Sequence, residues 1–433
     1  MQRGTVCMTF ACTTRLHIAL LVLLLLTAIS ACRASDWPQF QGPSRDGIAV
    51  ERGLAHAWPA DGPKALWAVP LAESYGGAAV RDGQVFILER MGEGVRGKDT
   101  LHCLALADGR ELWHFTYPAP GEFDLVGARC TPAVDARHVY SISPTGLVLC
   151  LDRTTHQPVW RMNLITDFSG EIPRWGVAQS PLLYGDWLIV APQSKTAGVA
   201  ALDKDTGKVV WRSAPIGIMA YASPILATID GVPQVVMLTQ GKTYEGNNTV
   251  AGINLADGTV LWQYTDWRTL IPIPCPTPLG NGRFFLTGGN GTKGTIFKVA
   301  HQGDQWNATT EIAGIPGESN LQNALCYQDH LYVNSANNGK GLLCLDLQGH
   351  LCWQHNTTPP LEQGGNLLIA DGLIIYEHGR TGELFLAEAN PTAYTELAHA
   401  KLLAPANNWA PMALVDGKLL VRDKGMLRCF SMK

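Results

Sequence analysis

The chain has 433 residues, a net charge of −4, 46% hydrophobic and only 16% charged residues. This balance offers neither the concentrated basic surface that nucleic acid needs nor a polybasic tract for an anionic membrane. It suits a sheet-rich protein with loops of Gly, Pro, Ser, Thr and Asn, because charged residues usually make up about 25% of a globular chain.

Residues 1–31 read as a signal peptide. Arg3 and Arg15 precede the apolar run 18–29, which is too short for a comfortable bilayer span. Ile29-Ser30-Ala31-Cys32 resembles a bacterial lipoprotein box, with Cys32 acylated as the first mature residue. Cleavage by the ordinary signal peptidase, after Ala34, is the competing reading. Both imply export to the periplasm, with membrane contact only through the lipid. Residues 32–61, which include Asp36-Trp37-Pro38-Gln39-Phe40-Gln41-Gly42-Pro43 and Arg45-Asp46-Gly47, read as a non-repetitive cover. In it Trp37 and Phe40 plug apolar surface.

From residue 62 onward one unit recurs. It is clearest at 199–211, V-A-A-L-D-K-D-T-G-K-V-V-W, where an apolar strand meets a turn closed by Gly207 and a second strand ends in Trp211. Copies end at Trp113, Trp160, Trp262 and Trp353, with a degenerate copy at Trp306. Strand-turn-strand patterns with a period of roughly 40–50 residues mark a radial or solenoidal repeat. Two more strands precede each copy, commonly joined by an Asx-Gly pair such as Asp82-Gly83, Asp230-Gly231, Asn281-Gly282, Asp371-Gly372 or Asp416-Gly417, or by Gly185-Asp186. Such pairs accept the positive backbone angles of a tight hairpin. The units open near Ala78, Thr131, Ser180, Ser223, Thr277, Asn323 and Asn366, with Leu397 where the seventh would carry its tryptophan.

Segment 62–70, with Trp67, is a last strand without its first three. Segments 410–415, 418–421 and 426–430 supply them at the other end of the chain. The expectation is an all-β fold over 62–433: an eight-bladed β-propeller of four-stranded antiparallel blades, its ring closed by the N-terminal strand. Seven blades remain if the fifth or seventh unit is an insertion. The tryptophans are structural, each wedged between blades with its ring N–H offered to a backbone carbonyl.

Of the eleven cysteines, Cys7, Cys12 and Cys32 lie in or beside the leader. Cys103, Cys150, Cys344 and Cys429 share one repeat position, where a small hydrophobe suits a packed sheet. Equivalent positions in different blades lie too far apart to bridge, so Cys344 and Cys352, flanking one turn, are the candidate pair. The Gly-rich run 288–294 joins two strands and leads into no helix, so it reads as a hairpin connection, not a phosphate loop. No nucleophile elbow, zinc-protease or calcium-loop motif is present.

Ligands of propellers sit at the channel mouth. The segments entering the inner strands place Arg129, Gln179, Tyr221, Asn320, Gln322, Gln363 and Trp409 there, with Glu318 and Trp175 just outside. Arg129 beside Glu318 is a grip for a polar ligand or an ordinary ion pair. Loops 116–129, 163–178 and 240–249 are the natural contact elements for a partner.

The unit Ala201-Leu202-Asp203-Lys204-Asp205-Thr206-Gly207-Lys208-Val209-Val210-Trp211 resembles the quinoprotein-type, tryptophan-docking repeat, also called PQQ-like, and the resemblance spans most of 62–433. It implies a propeller but leaves function open. Relatives include quinoprotein dehydrogenases and the non-enzymatic lipoprotein scaffold of the outer-membrane β-barrel assembly machine. A dehydrogenase would hold PQQ on the axis with Ca²⁺ ligands and an Asp base, and methanol-type members add a disulfide of adjacent cysteines. None of that constellation is recognisable. The preferred expectation is a monomeric, non-catalytic, exported scaffold without cofactor, binding an envelope protein. The alternatives are a quinone-binding oxidoreductase or planar-ligand sensor using PQQ with Ca²⁺, and a carbohydrate-binding module.

Overall fold

The computed structural model describes residue 1 and residues 36–335, 341–357 and 365–433. Cys32 and Gln363 lie outside the described residues. Eight sheets follow one another around a ring, seven of four strands and one of five. Each blade is a meander whose strands pair antiparallel in sequence order. The first, for example, runs Ala79–Arg81, Gln84–Met91, Lys98–Ala105 and Glu111–Pro118. The eighth combines Ala413–Val415, Lys418–Arg422 and Met426–Ser431 with Ala65–Pro70 from the start of the chain, Trp67 facing Cys429. The expected ring closure and eight blades are both present. Arg422 locks the seam. Its buried guanidinium donates to the carbonyls of Ala72, Gly76 and Leu88, and burial pushes its pKa down to about 10.

The repeat residues act as the sequence implies. Asp82-Gly83, Asp230-Gly231, Asn281-Gly282, Asp371-Gly372 and Asp416-Gly417 have positive φ at both positions, the mirror-image turn that matches strand twist. In the outer turns, Asp203 Oδ1 accepts from the N–H and hydroxyl of Thr206 at 2.8 and 2.7 Å. Every repeat tryptophan except Trp306 docks on the next blade, though not always through the expected backbone carbonyl: the Trp262 ring N–H donates to Gln234 Oε1 of its own blade at 2.7 Å. The ring N–H groups of Trp67, Trp160 and Trp353 donate to the carbonyls of Leu106, Lys204 and Asn390, each in the following blade's outer turn. The turn glycine makes room: a Cβ on Gly207 would sit 2.6 Å from the Trp160 ring, and one on Gly109 2.7 Å from Trp67. Where His156 replaces that glycine, it adopts φ 61° and Trp113 stacks on its ring at 4.7 Å.

The repeat cysteines face these rings within their own blades, Cys103 opposite Trp113, Cys150 opposite Trp160 and Cys344 opposite Trp353. Only a small side chain fits there. Opposite Trp262 stands Gly252, whose Cβ would lie 2.1 Å from the indole nitrogen. Cys344 and Cys352, the candidate pair, are free thiols, the first buried and the second exposed.

Two expected repeat positions shift. A bulge precedes the tryptophan in each outer strand, and in the seventh blade Leu397 is the bulged residue, so Ala398, opposite Leu386, takes the tryptophan's place. In the fifth blade the outer hairpin is long (Gly294–Gln302 with Gln305–Ile315); Ile312, opposite Ile296, keeps the strand register, and Ile315 makes the docking contact, 2.9 Å from where a Cβ on the next blade's turn glycine Gly349 would sit. Trp306 pairs with His301 near the hairpin tip and stacks on it at 4.2 Å.

Residues 36–55 do more than cover the ring. Trp37 exchanges backbone hydrogen bonds with Val80 on the first inner strand, and Pro38 accepts from Val134 on the second. Gln39 accepts from the Leu183 N–H on the third, Gln41 from Asn323 just before the sixth, and Ile48–Ala49 pairs parallel with Leu367–Ala370 as the seventh blade's fifth strand. Glu51 then caps Asp416 and Gly417 of the eighth. A segment bonded to six of the eight blades, four of them at their inner strands, stands in the channel and stops it. Arg45 anchors the stopper, donating from within the protein to Pro181 O at 2.8 Å. Gly42, at φ +85°, lets the chain fold against the Trp37 ring, where a Cβ would lie 2.9 Å away.

Candidate functional site at the channel mouth

The meander puts two kinds of connection on opposite faces of the disc. Inner hairpin turns and outer Asp-Gly turns share one face, from which the stopper enters. The long loops between blades share the other, and there a cavity of about 290 Å³ opens above the stopper, with Phe40 among its lining residues.

Two layers of equivalent positions build it. Two residues before each inner strand, small side chains form a hydrogen-bonded girdle. Thr131 Oγ1 accepts from Gly77 N, Ser180 Oγ from Thr131 N, and Ser223 Oγ from Ser180 N, at 2.9–3.1 Å. Asn323 continues the same pattern by accepting from Cys275 N at 2.7 Å. These bonds tie one blade's entry to the next and fix the spacing above. Four residues before each inner strand stand the rim side chains Tyr75, Arg129, Ala178, Tyr221, Ile273, Leu321 and Trp409, all lining the cavity.

The rim has two unlike halves. On one side Trp409 stacks on Tyr75 at 5.0 Å, Arg129 lies over Tyr75 at 5.9 Å, and Tyr221 meets Trp175 at 5.2 Å. On the other stand Ile271, Ile273 and Leu321, flanked by the amides of Asn320 and Gln322. Arg129 donates to the Leu125 and Gly127 carbonyls at 2.6 Å each, which braces its own loop. Burial lowers its pKa to about 10, so it stays a cation at neutral pH. No ion pair to Arg129 is seen among the described residues. The neighbouring cation Arg174 is engaged by Asp124.

Of the residues expected at the mouth, Arg129, Tyr221, Asn320, Gln322 and Trp409 line the cavity. Gln179 does not. It is buried one position past the rim, clasping both backbone groups of Ala191 at 2.7 Å. Glu318 is buried too and binds Lys293 at 3.0 Å, so it forms no grip with Arg129. Trp175 lies in the cavity wall rather than outside it. Phe123 and Phe168, from the long loops, pack inward at 8% and 2% exposure. Tyr75, Ile273 and Phe40 were not anticipated. Tyr75 and Ile273 were findable by counting back four residues from each inner strand, but Phe40 required knowing that the stopper enters the channel.

The sequence profile of the family described as outer membrane protein assembly factor BamB matches residues 97–355. The chain belongs to that family. No curated protein matches the sequence. Among solved structures, BamB from Moraxella catarrhalis superposes with a TM-score of 0.59 at 14% identity, over 86% of this chain and 98% of that one. A europium-containing methanol dehydrogenase gives 0.64 at 11% identity, over 92% and 98%. The quinohemoprotein alcohol dehydrogenase of Comamonas testosteroni gives 0.63 at 12%, over 94% and 82%. At these identities the likeness is one of fold.

Against the PQQ and Ca²⁺ expectation, the donor set at the mouth does not fit. The cavity is lined by a guanidinium, amides, hydroxyls, a thiol and apolar groups, with no Asp, Glu or His. A hard dication finds no anionic oxygen there. Elsewhere among the described residues, no three His, Cys, Asp or Glu side chains are placed to hold a metal.

Proposed function

We propose that this chain is an exported, non-catalytic propeller that binds a protein partner through its mouth face during envelope assembly, and that it works without PQQ, Ca²⁺ or another cofactor. The observation that carries this reading is the stopper. Residues 36–55 bond along the inner strands, Phe40 reaches the cavity above them, and that cavity is lined by no Asp, Glu or His. The family's description as an outer membrane protein assembly factor supports a role in that process, with the chain in the periplasm, free or held by a lipid on Cys32. The interblade loops, which carry the exposed Val126, Ile172 and Leu270, would form the contact surface.

Deleting the gene in its native host and measuring folded outer-membrane β-barrel proteins by heat modifiability tests the assignment. A fall restored by the intact gene is expected. Unchanged barrel levels, together with alcohol-dependent dye reduction by protein loaded with PQQ and Ca²⁺, would replace it with the oxidoreductase reading.

A further inference from the structure

We infer that the mouth cavity is a receptor site for an aromatic monocarboxylate, whose ring lies between the Tyr75–Trp409 and Trp175–Tyr221 pairs and whose carboxylate meets Arg129. The inference rests on the mouth face being the binding face, and it adds the chemistry of what is bound.

Charge comes first. Arg129 is half-buried, flanked by two phenols, and hydrogen-bonded to two carbonyls of its own loop, with no carboxylate in contact and only Glu93 acting on it at a distance. A guanidinium has five donors, so the remainder are open to a bidentate anion. Among the other charged groups nearby, Glu73 is engaged by Lys424 and Tyr75, Glu318 by Lys293 and Arg174 by Asp124, while Glu93 acts on Arg129 only through space and forms no ion pair with it. One free cation matches one carboxylate. A tricarboxylate with a chelated metal would leave anionic charge facing apolar walls.

Shape comes second. Phe40, Ile271 and Ile273 give the cavity an apolar interior, and aromatic faces stand on one side of it. The amides of Asn320 and Gln322 can orient a polar edge without adding charge. A flat apolar body with one anionic end suits the apolar walls and Arg129, whereas a sugar would leave most of its hydroxyls against apolar surface. Free aromatic acids and protein chains that end in an aromatic residue present the same chemistry.

The test is calorimetry and tryptophan fluorescence on the exported full chain, since Trp175 and Trp409 line the site. The probes are 3-phenylpropionate, its neutral amide, a hexapeptide ending in phenylalanine with a free or amidated terminus, and PQQ with and without Ca²⁺. Saturable binding of 3-phenylpropionate is expected, about tenfold tighter than its amide because a charge-assisted hydrogen bond is lost. Arg129→Gln should abolish that preference. If Arg129→Gln does not fold, Tyr221→Leu serves as the second variant and the acid-amide comparison on the unmodified protein still decides. Binding of the free-ended hexapeptide identifies a partner's chain end as the source; its exclusion while the small acid binds identifies a free metabolite. Equal binding of acid and amide, no saturation by any probe, or binding of PQQ only with Ca²⁺ would each overturn the site. Loss of barrel proteins on gene deletion alongside a failed titration would refute the site and leave the assembly role standing.

Discussion

The two faces of the disc are built by different rules. On the turn face, short loops repeat with the same residues doing the same work: an Asx-Gly pair reverses the inner hairpin, and an Asp and a Gly shape the outer turn for the preceding blade's tryptophan. On the mouth face the girdle repeats, but the rim above changes residue by residue, from Tyr75 through Arg129 to Ile273 and Trp409. The lesson is that repeated positions hold the ring while the varied ones carry what is particular to this chain.

The sharpest way to break the comparison is at the mouth face's anchor. Arg90 and Asp99 form a fully buried pair at 2.9 Å, and Arg90 also holds the Gly121 carbonyl at the root of the loop that carries Arg129. Arg90→Met strands the Asp99 carboxyl, and denaturant unfolding should show a loss of about 3–5 kcal/mol. A loss below about 1 kcal/mol would mean that the loop is braced elsewhere.

Next comes the docking tryptophan. Trp160→Ala removes a large ring from the blade interface together with its bond to Lys204 O, at a cost of about 3 kcal/mol. Trp306→Ala, off the docking position, should cost clearly less. Equal costs in thermal or denaturant unfolding would contradict the placing of the docking contact at Ile315 rather than Trp306.

A rim change should separate binding from stability. Tyr221→Leu keeps an apolar side chain above the intact girdle, so stability should stay within about 1 kcal/mol while aromatic binding at the mouth falls about tenfold. A cooperative loss of fold instead would make the rim structural.

The smallest effect is one of pH. His102 lies between Glu89 at 3.1 Å and Glu111 at 2.6 Å. Although burial opposes it, the two carboxylates raise its pKa, while their own pKa values are lowered. A raised histidine contributes stability fully below its unfolded value, near 6.5, and loses it as pH rises through the folded value. The lowered carboxylates contribute above about 4.3 and lose that contribution as pH falls through their folded values. The thermal-stability gap between the native protein and His102→Gln should therefore be widest between about pH 4.5 and 6.5 and narrow at pH 9. A gap that widens above pH 8 would contradict the assigned direction.

Most of the ring is legible in the residues. Trp160, Gly207 and Asp203 announce their roles because one blade cannot bury its own outer strand, so the repeat writes the interface into every copy. The shifts have local causes. A bulge moves the docking position from Leu397 to Ala398, and bulges leave little mark in sequence. A lengthened hairpin carries Trp306 away from the register that its spacing in the sequence implies. Half of the mouth site was legible, since Arg129, Tyr221 and Trp409 stand where the chain enters an inner strand. Gln179 and Glu318 were misplaced by one or a few residues, which turns a lining side chain into a buried brace. Phe40 was hidden for another reason: nothing in residues 36–55 says that this segment threads a channel formed by blades hundreds of residues away.

The most direct test of the account is site-specific photo-crosslinking in the exporting host, from Val126 and Leu270 on the mouth face and from Asp186 and Lys208 on the turn face. All four side chains are exposed. The account predicts that Val126 and Leu270 form adducts with the same envelope protein while Asp186 and Lys208 form none. Adducts from the turn face alone, or different proteins captured from Val126 and Leu270, would contradict it.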